Sequence, residues 1–248
     1  MCLILFGYRC EPSTELLVAA NRDEFHQRSA APAAPWLDHP QVIAGRDLVA
    51  GGTWLGCTTQ GRFAALTNFS GPDDAPRPKS RGILVQEFLT GTDNAQHYAH
   101  HINGAEYAGF NLLLFDGAEL VYTSNKGTTE VLKPGYYGLS NAELGAEWPK
   151  CVQGAAALHE AADKQATDIQ LLSLLSDSSV PNDEALPHRG RPIEFERRVA
   201  PCFIVGEEYG TRASTVVRIS ANQVSLTEKT YTAGGVAGNT ITHRHPDV

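Results

Sequence analysis

A buried-type apolar run occupies positions 2–9, residues 10–14 break it, and a second β-rich run occupies 15–22. With turn chemistry at Pro12 and Ser13 between them, the two runs predict a hairpin. Residues 29–40, rich in Ala and Pro, read as a loop. Short strands are predicted over 42–46, 53–59 and 62–69, separated by Gly51-Gly52 and Gln60-Gly61, which supply the positive φ that tight turns need. The proline-bearing stretch 71–79 reads as a loop. Ser80 then caps a helical pattern in which Ile83, Leu84, Phe88 and Leu89 recur at helical spacing, and a helix continues over 93–102.

The second half repeats this alternation. Residues 110–115, the Asp116-Gly117 turn and residues 119–124 form another hairpin, followed by shorter strands over 128–133 and 136–139. Helices are predicted over 149–162, opened by Pro149, and 168–175, capped by Thr167. The polar, proline-bearing stretch 176–199 reads as a loop. Residues 211–219 and 223–230 close as a final hairpin, and the polar tail from about 233, carrying His243 and His245, is expected to be flexible. Helical pairs inserted between antiparallel hairpins fit a single α+β domain over 1–248, a four-layer αββα sandwich of two stacked antiparallel sheets with helices outside. A pure β sandwich would lack the helical pairs, and a doubly wound parallel sheet would need a G-x-G-x-x-G turn that is absent.

Composition narrows the function classes. The chain has 248 residues with a net charge of -8, and no clustered Lys/Arg run of the kind a nucleic-acid backbone demands. No apolar stretch approaches the ~20 residues of a membrane span, and the opening run is too short for a signal peptide. Cys2, Cys10, Cys57, Cys151 and Cys202 are odd in number and include no C-x-x-C pair, so neither a disulfide framework nor a zinc knuckle is written here. A small-molecule partner, no resident cofactor or metal, and a reducing cytoplasm are expected; oligomeric state is not legible.

Cys2 is the sharpest chemical feature. Removal of the initiator Met, usual before so small a residue, leaves a thiol and a free α-amine on one residue. With ordinary pKa values of ~8.5 and ~7.7–8.0, the amine can take the thiol proton without a histidine. By position alone, Cys2 reads more simply as a small hydrophobe starting a buried strand. The polar cluster Asn21-Arg22-Asp23-Glu24 ends the second strand one hairpin away, and strand alternation puts Asn21 and Asp23 on one face and Arg22 on the other. There Asp23 can hold the α-ammonium, and Arg22 can lower the thiol pKa if the strand bends it inward. Asn68 and Asn141 end two further strands, each an amide suited to a developing oxyanion, or an ordinary turn residue. Arg212 opens the last hairpin.

Met1-Cys2, Asn21-Arg22-Asp23-Glu24, Gly51-Gly52-Thr53-Trp54-Leu55-Gly56, Leu66-Thr67-Asn68-Phe69, Ser80-Arg81-Gly82, Tyr107-Ala108-Gly109-Phe110-Asn111-Leu112, Gly138-Leu139-Ser140-Asn141 and Trp148-Pro149-Lys150 follow in an order that resembles the NRDE family, also called the transport and Golgi organisation protein 2 family. That family is more distantly similar to N-terminal-nucleophile amidases of the choloylglycine hydrolase and penicillin V acylase type. The resemblance implies a cysteine amidohydrolase or acyltransferase acting on a linear amide, with Cys2 as nucleophile, Asp23 as its amine partner, Asn68 and Asn141 at the oxyanion and Arg212 supporting the site. Asn21, Arg22, His26 and Trp54 are the candidate substrate-binding residues. One departure stands out: those amidases carry their first arginine three residues before the aspartate, where this chain has Ala20, and Arg22 directly precedes Asp23. Family members are also linked to lipid homeostasis and haem trafficking, which implies the alternative of a non-catalytic binding module with Cys2 or His26 on haem iron. No C-x-x-C-H is present, and His97, His100 and His101 fall on a helical surface.

Overall fold

The computed structural model describes residues 2–69, 77–187 and 189–245. The opening apolar run and its partner pair as β1 (Cys2–Glu11) and β2 (Thr14–Phe25), and β3 (Ala30–Pro35), β4 (Val42–Asp47), β5 (Leu55–Thr58) and β6 (Phe63–Asn68) follow. Two helices, α1 (Gly82–Thr90) and α2 (Ala95–His101), lead to β7 (Phe110–Phe115), β8 (Leu120–Ser124), β9 (Thr129–Val131) and β10 (Gly135–Leu139). Then come α3 (Pro149–Asp163), α4 (Asp168–Leu174) and α5 (Ile193–Val199), and β11 (Tyr209–Ile219), β12 (Val224–Thr232) and β13 (Val236–His245) complete the described chain.

The strands form two antiparallel sheets, ordered β10-β1-β2-β11-β12-β13 and β3-β4-β5-β6-β7-β8-β9. Strand alternation decides what each face meets. Ile4, Phe6, Leu16 and Val18 pack between the sheets against Phe63, Leu113 and Phe115, while Leu3, Leu5, Leu17 and Ala19 face Leu158 of α3 and Leu171 of α4. On the outer face of the second sheet, Leu84, Val85 and Phe88 of α1 cover Leu112 and Leu114. Each of the Leu, Ile, Val and Phe side chains contributes roughly 1.5–3 kcal/mol on burial. The layers are therefore helix, sheet, sheet, helix, and β1 lies inside its sheet between β10 and β2.

Two glycines are demanded by close approach. A Cβ on Gly138 would lie 2.3 Å from the Cys151 carbonyl, so glycine there lets the start of α3 sit directly on β10. Gly52, at φ +73, would bring a Cβ 2.4 Å from the Gly82 carbonyl where the β4–β5 connection meets α1.

Several expectations are corrected. Part of the predicted loop 29–40 is the edge strand β3, where Pro32 is accommodated at a register shift between Ala31 and Ala34. The stretch 176–199 contains α5, whose scattered charges hid its helical period. In place of an unpaired tail, residues 236–245 form β13, hydrogen-bonded along β12. Arg81 rather than Ser80 occupies the α1 N-cap, with no side-chain cap, whereas Asn94 caps α2 by accepting from the His97 N–H at 2.8 Å. Residues 71–76 of the loop predicted over 71–79 lie outside the described residues.

Candidate active site

β1 and β2 are in a register that pairs Cys2 with Arg22. Paired residues share a face, so Arg22 lies beside Cys2 on the inter-sheet side without any bend in the strand. Both line a cleft of about 440 Å³ between the ends of the two sheets, together with Asp23, Trp54, Asn68 and Arg212. Arg22 has one long ion pair, 3.9 Å to Glu24.

The backbone around Cys2 is held on its other side by the residues that follow β10. The Cys2 N–H donates to Asn141 Oδ1 at 3.1 Å, and Ser140 Oγ donates to the Cys2 carbonyl at 2.7 Å. Asn141 Nδ2 in turn donates to the Asn68 carbonyl at 2.6 Å. Beneath this lies a buried polar network from the second sheet. Thr67 Oγ1 donates to the Ser140 carbonyl, Asn111 Nδ2 donates to Ala142 O at 2.8 Å, and Tyr122 Oη donates to Asn111 Oδ1 at 2.8 Å. Each of these polar groups is buried and bonded, so the network fixes Ser140 and Asn141 in one conformation.

Burial pushes the Cys2 thiol above its ordinary value; the charge of Asp23 adds to this, and the Asp23 backbone and the Arg22 charge oppose it. Burial also raises Asp23 to about 6, against the opposing influence of Lys150, a hydrogen bond from Thr211 and Arg22. Thr211 Oγ1 donates to Asp23 Oδ1 at 2.7 Å and accepts from the Ile204 N–H at 2.9 Å. Lys150 is itself buried at the start of α3, its Nζ donating to the Val199 carbonyl at 2.9 Å.

The remaining candidates separate. Asn21 is fully buried on the helical face of β2, where its Nδ2 donates to Leu175 O and Cys202 O at 2.9 and 2.8 Å and its Oδ1 accepts from Ser214. It ties two loops to the sheet and is not part of the cleft. His26 is half-buried against Gly210, outside the cleft lining. Arg212, at the register shift in β11, lines the cleft while its guanidinium donates to the carbonyls of Phe25 and Arg28, fixing the turn after β2. Among the described residues no group of three or more His, Cys, Asp or Glu gathers to hold a metal.

Sequence reasoning missed the supporting residues. Thr67, Asn111, Ser140 and Lys150 sit inside the quoted motifs, so their positions were signalled and their roles were not. Glu228 carried no signal: it is buried in the cleft wall, raised by burial, and accepts from the Ala33 N–H at 2.7 Å.

Two stacked antiparallel sheets with helices outside and a cysteine opening an interior strand define the N-terminal-nucleophile hydrolase fold. The crystal structure of the C2A mutant of conjugated bile acid hydrolase from Clostridium perfringens has this architecture: it aligns with a TM-score of 0.54 and 10% identity, covering 98% of this chain and 92% of that one. More particularly, the chain belongs to the Transport and Golgi organisation 2 family, whose profile matches residues 1–233. It is 37% identical to the Transport and Golgi organization protein 2 homolog of Bos taurus, with 92% of each chain covered. It is 28% identical to Transport and Golgi organization protein 2 of Drosophila melanogaster, with 94% and 93% covered. No helix among the described residues is long and apolar enough to cross a membrane.

Proposed function

We propose that the chain, once Met1 is removed, is an N-terminal cysteine hydrolase or acyltransferase acting on a linear amide through a thioester. The observation that carries this is the Cys2 nitrogen held at 3.1 Å by Asn141 Oδ1 while the same residue lines the cleft. Once Met1 is removed this nitrogen is the free α-amine of Cys2, so Asn141 stands where it would orient the proposed base beside the thiol of the same residue.

In the proposed reaction the α-amine takes the thiol proton and Sγ attacks the amide carbon, whose π electron pair moves onto oxygen. The second proton of Asn141 Nδ2 and the Asn68 side-chain amide are the donors for that oxyanion. Collapse breaks the C–N bond, and the leaving nitrogen takes the proton from the α-ammonium. Water, or an acceptor nucleophile, then attacks the thioester and gives its proton to the amine. The thiolate leaves and recovers that proton, so the enzyme returns to its starting state. Asp23 counters the charge of the α-ammonium, and Arg22 favours the thiolate.

Intact-protein mass spectrometry tests the premise and the chemistry together. The expected results are a chain lacking Met1 and a Cys2-linked acyl adduct with an activated acyl donor, lost in Cys2→Ser. Retention of Met1 in the cell, or a Met-free chain that never forms the adduct, overturns the reading.

A further inference from the structure

Cleft-lining residues run in a row across the first sheet. Cys2 on β1 pairs with Arg22 on β2, Arg22 with Ala213 on β11, and Ala213 with Thr230 on β12. Thr230 Oγ1 donates to the Asn239 carbonyl on β13 at 3.4 Å. All five line the cleft. With neighbouring strands about 4.8 Å apart, four strand gaps make a trough on the order of 19 Å long that starts at the nucleophile. It runs perpendicular to the strands, so its occupant is elongated.

The row alternates in a telling way. Ala213 is the one small apolar residue in it, and it leaves the middle of the trough open. Around it stand Arg22, Thr230 and Asn239, with the buried carboxyl of Glu228 alongside. A hydrocarbon arm would find apolar contact at Trp54, Leu66 and Ile241, but it would strip the part-exposed Arg22, Thr230 and Asn239 of water and return no hydrogen bonds, an expensive exchange. An arm with its own amide groups would return them. At about 3.4 Å per extended residue, 19 Å holds roughly five residues.

Resting on the acyl-transfer reading above, we propose that the substrate is a peptide-like linear amide whose acyl arm lies across the strands from Cys2 toward Asn239, with Ala213 as the residue that admits arms longer than about two residues. The Ala213 position is two strand gaps from Cys2 and the Thr230 position three, so blocking them shortens the accepted arm in that order.

The test uses the Met-free full chain and a ladder of capped peptidyl aminocoumarin amides from one to six residues, with fatty acyl aminocoumarin amides of matching length beside them. Aminocoumarin release gives kcat/KM, and intact mass gives the Cys2 adduct. The expected result is a rise with length that levels at about five residues, with fatty arms at least about tenfold slower at matched length. Ala213→Phe abolishes the gain beyond about two residues, and Thr230→Phe abolishes it only near the end of the ladder. Circular dichroism establishes that each variant folds, and if one does not, the breakpoint of the other decides. Rates flat in length, preference for the fatty arm, or variants that leave the length profile unmoved overturn this inference alone, since Cys2 adducts still form. Absence of any adduct along both ladders overturns the acyl-transfer reading and the inference with it.

Discussion

Asn141 joins the start of the chain to the end of the sixth strand: its Oδ1 accepts from the Cys2 nitrogen at 3.1 Å while its Nδ2 donates to the Asn68 carbonyl at 2.6 Å. A single amide therefore sets where the nitrogen of Cys2 stands relative to the end of the central strand of the opposite sheet. In the proposed chemistry the same amide has one proton left for an oxyanion.

Replacing it separates a catalyst from a carrier. Asn141→Ala is expected to lower turnover by about 100-fold or more with little change in substrate binding, the usual loss for one oxyanion donor. A haem or lipid carrier would instead lose its ligand in Cys2→Ala and keep it in Asn141→Ala. Equilibrium titration with haemin or a fatty-acid probe, run beside aminocoumarin release, reads both.

Asp23 links stability to pH. Its carboxyl moves from an ordinary 3.8 to about 6 on folding, so the folded chain holds a proton that the unfolded chain has lost across that range. Stability then falls as pH rises from about 4 to about 6, by roughly 3 kcal/mol at most. Asp23→Asn removes this loss. Urea denaturation should find the variant about 1–3 kcal/mol more stable than wild type near neutral pH, with the advantage gone near pH ~4, while its acyl-transfer activity collapses.

Lys150 contributes a positive charge that favours the ionised form of Asp23. Lys150→Met should raise the Asp23 pKa further, shifting the acid limb of the pH–rate profile toward higher pH. A limb that stays in place would show that Lys150 serves only its bond to the Val199 carbonyl.

The support under Asn141 is a matter of buried hydrogen bonds. Thr67→Val removes one of two donors to the Ser140 carbonyl, which keeps Asn111 Nδ2 at 3.3 Å, and takes from Asn111 Nδ2 the Thr67 hydroxyl that lies 3.1 Å away. The expected cost is about 0.5–1.5 kcal/mol in denaturant unfolding, accompanied by loss of Cys2 acylation rate because the Ser140-Asn141 turn is less firmly fixed. Asn111→Ala should give the larger fall in stability, since it also strands the Tyr122 hydroxyl.

The sequence by itself determined the alternation of elements, because apolar β-rich runs such as 2–9 and 15–22 and the helical spacing of Ile83, Leu84, Phe88 and Leu89 are local properties of the chain. It also determined the residues worth testing, since Cys2, Asp23, Asn68 and Asn141 all stand at strand ends, where a side chain can serve chemistry instead of packing. It missed β3, α5 and β13, whose order comes from neighbours: an edge strand, a charge-rich short helix and a polar tail have little apolar pattern of their own. The tertiary structure alone decided register, and register decided the site. Pairing Cys2 with Arg22 rather than with Asn21 puts the arginine in the cleft and sends Asn21 to the helical face, where it ties down loops. A shift of one residue would have exchanged them, because side chains alternate with a period of two and nothing within β1 or β2 alone says which face the partner sheet will cover.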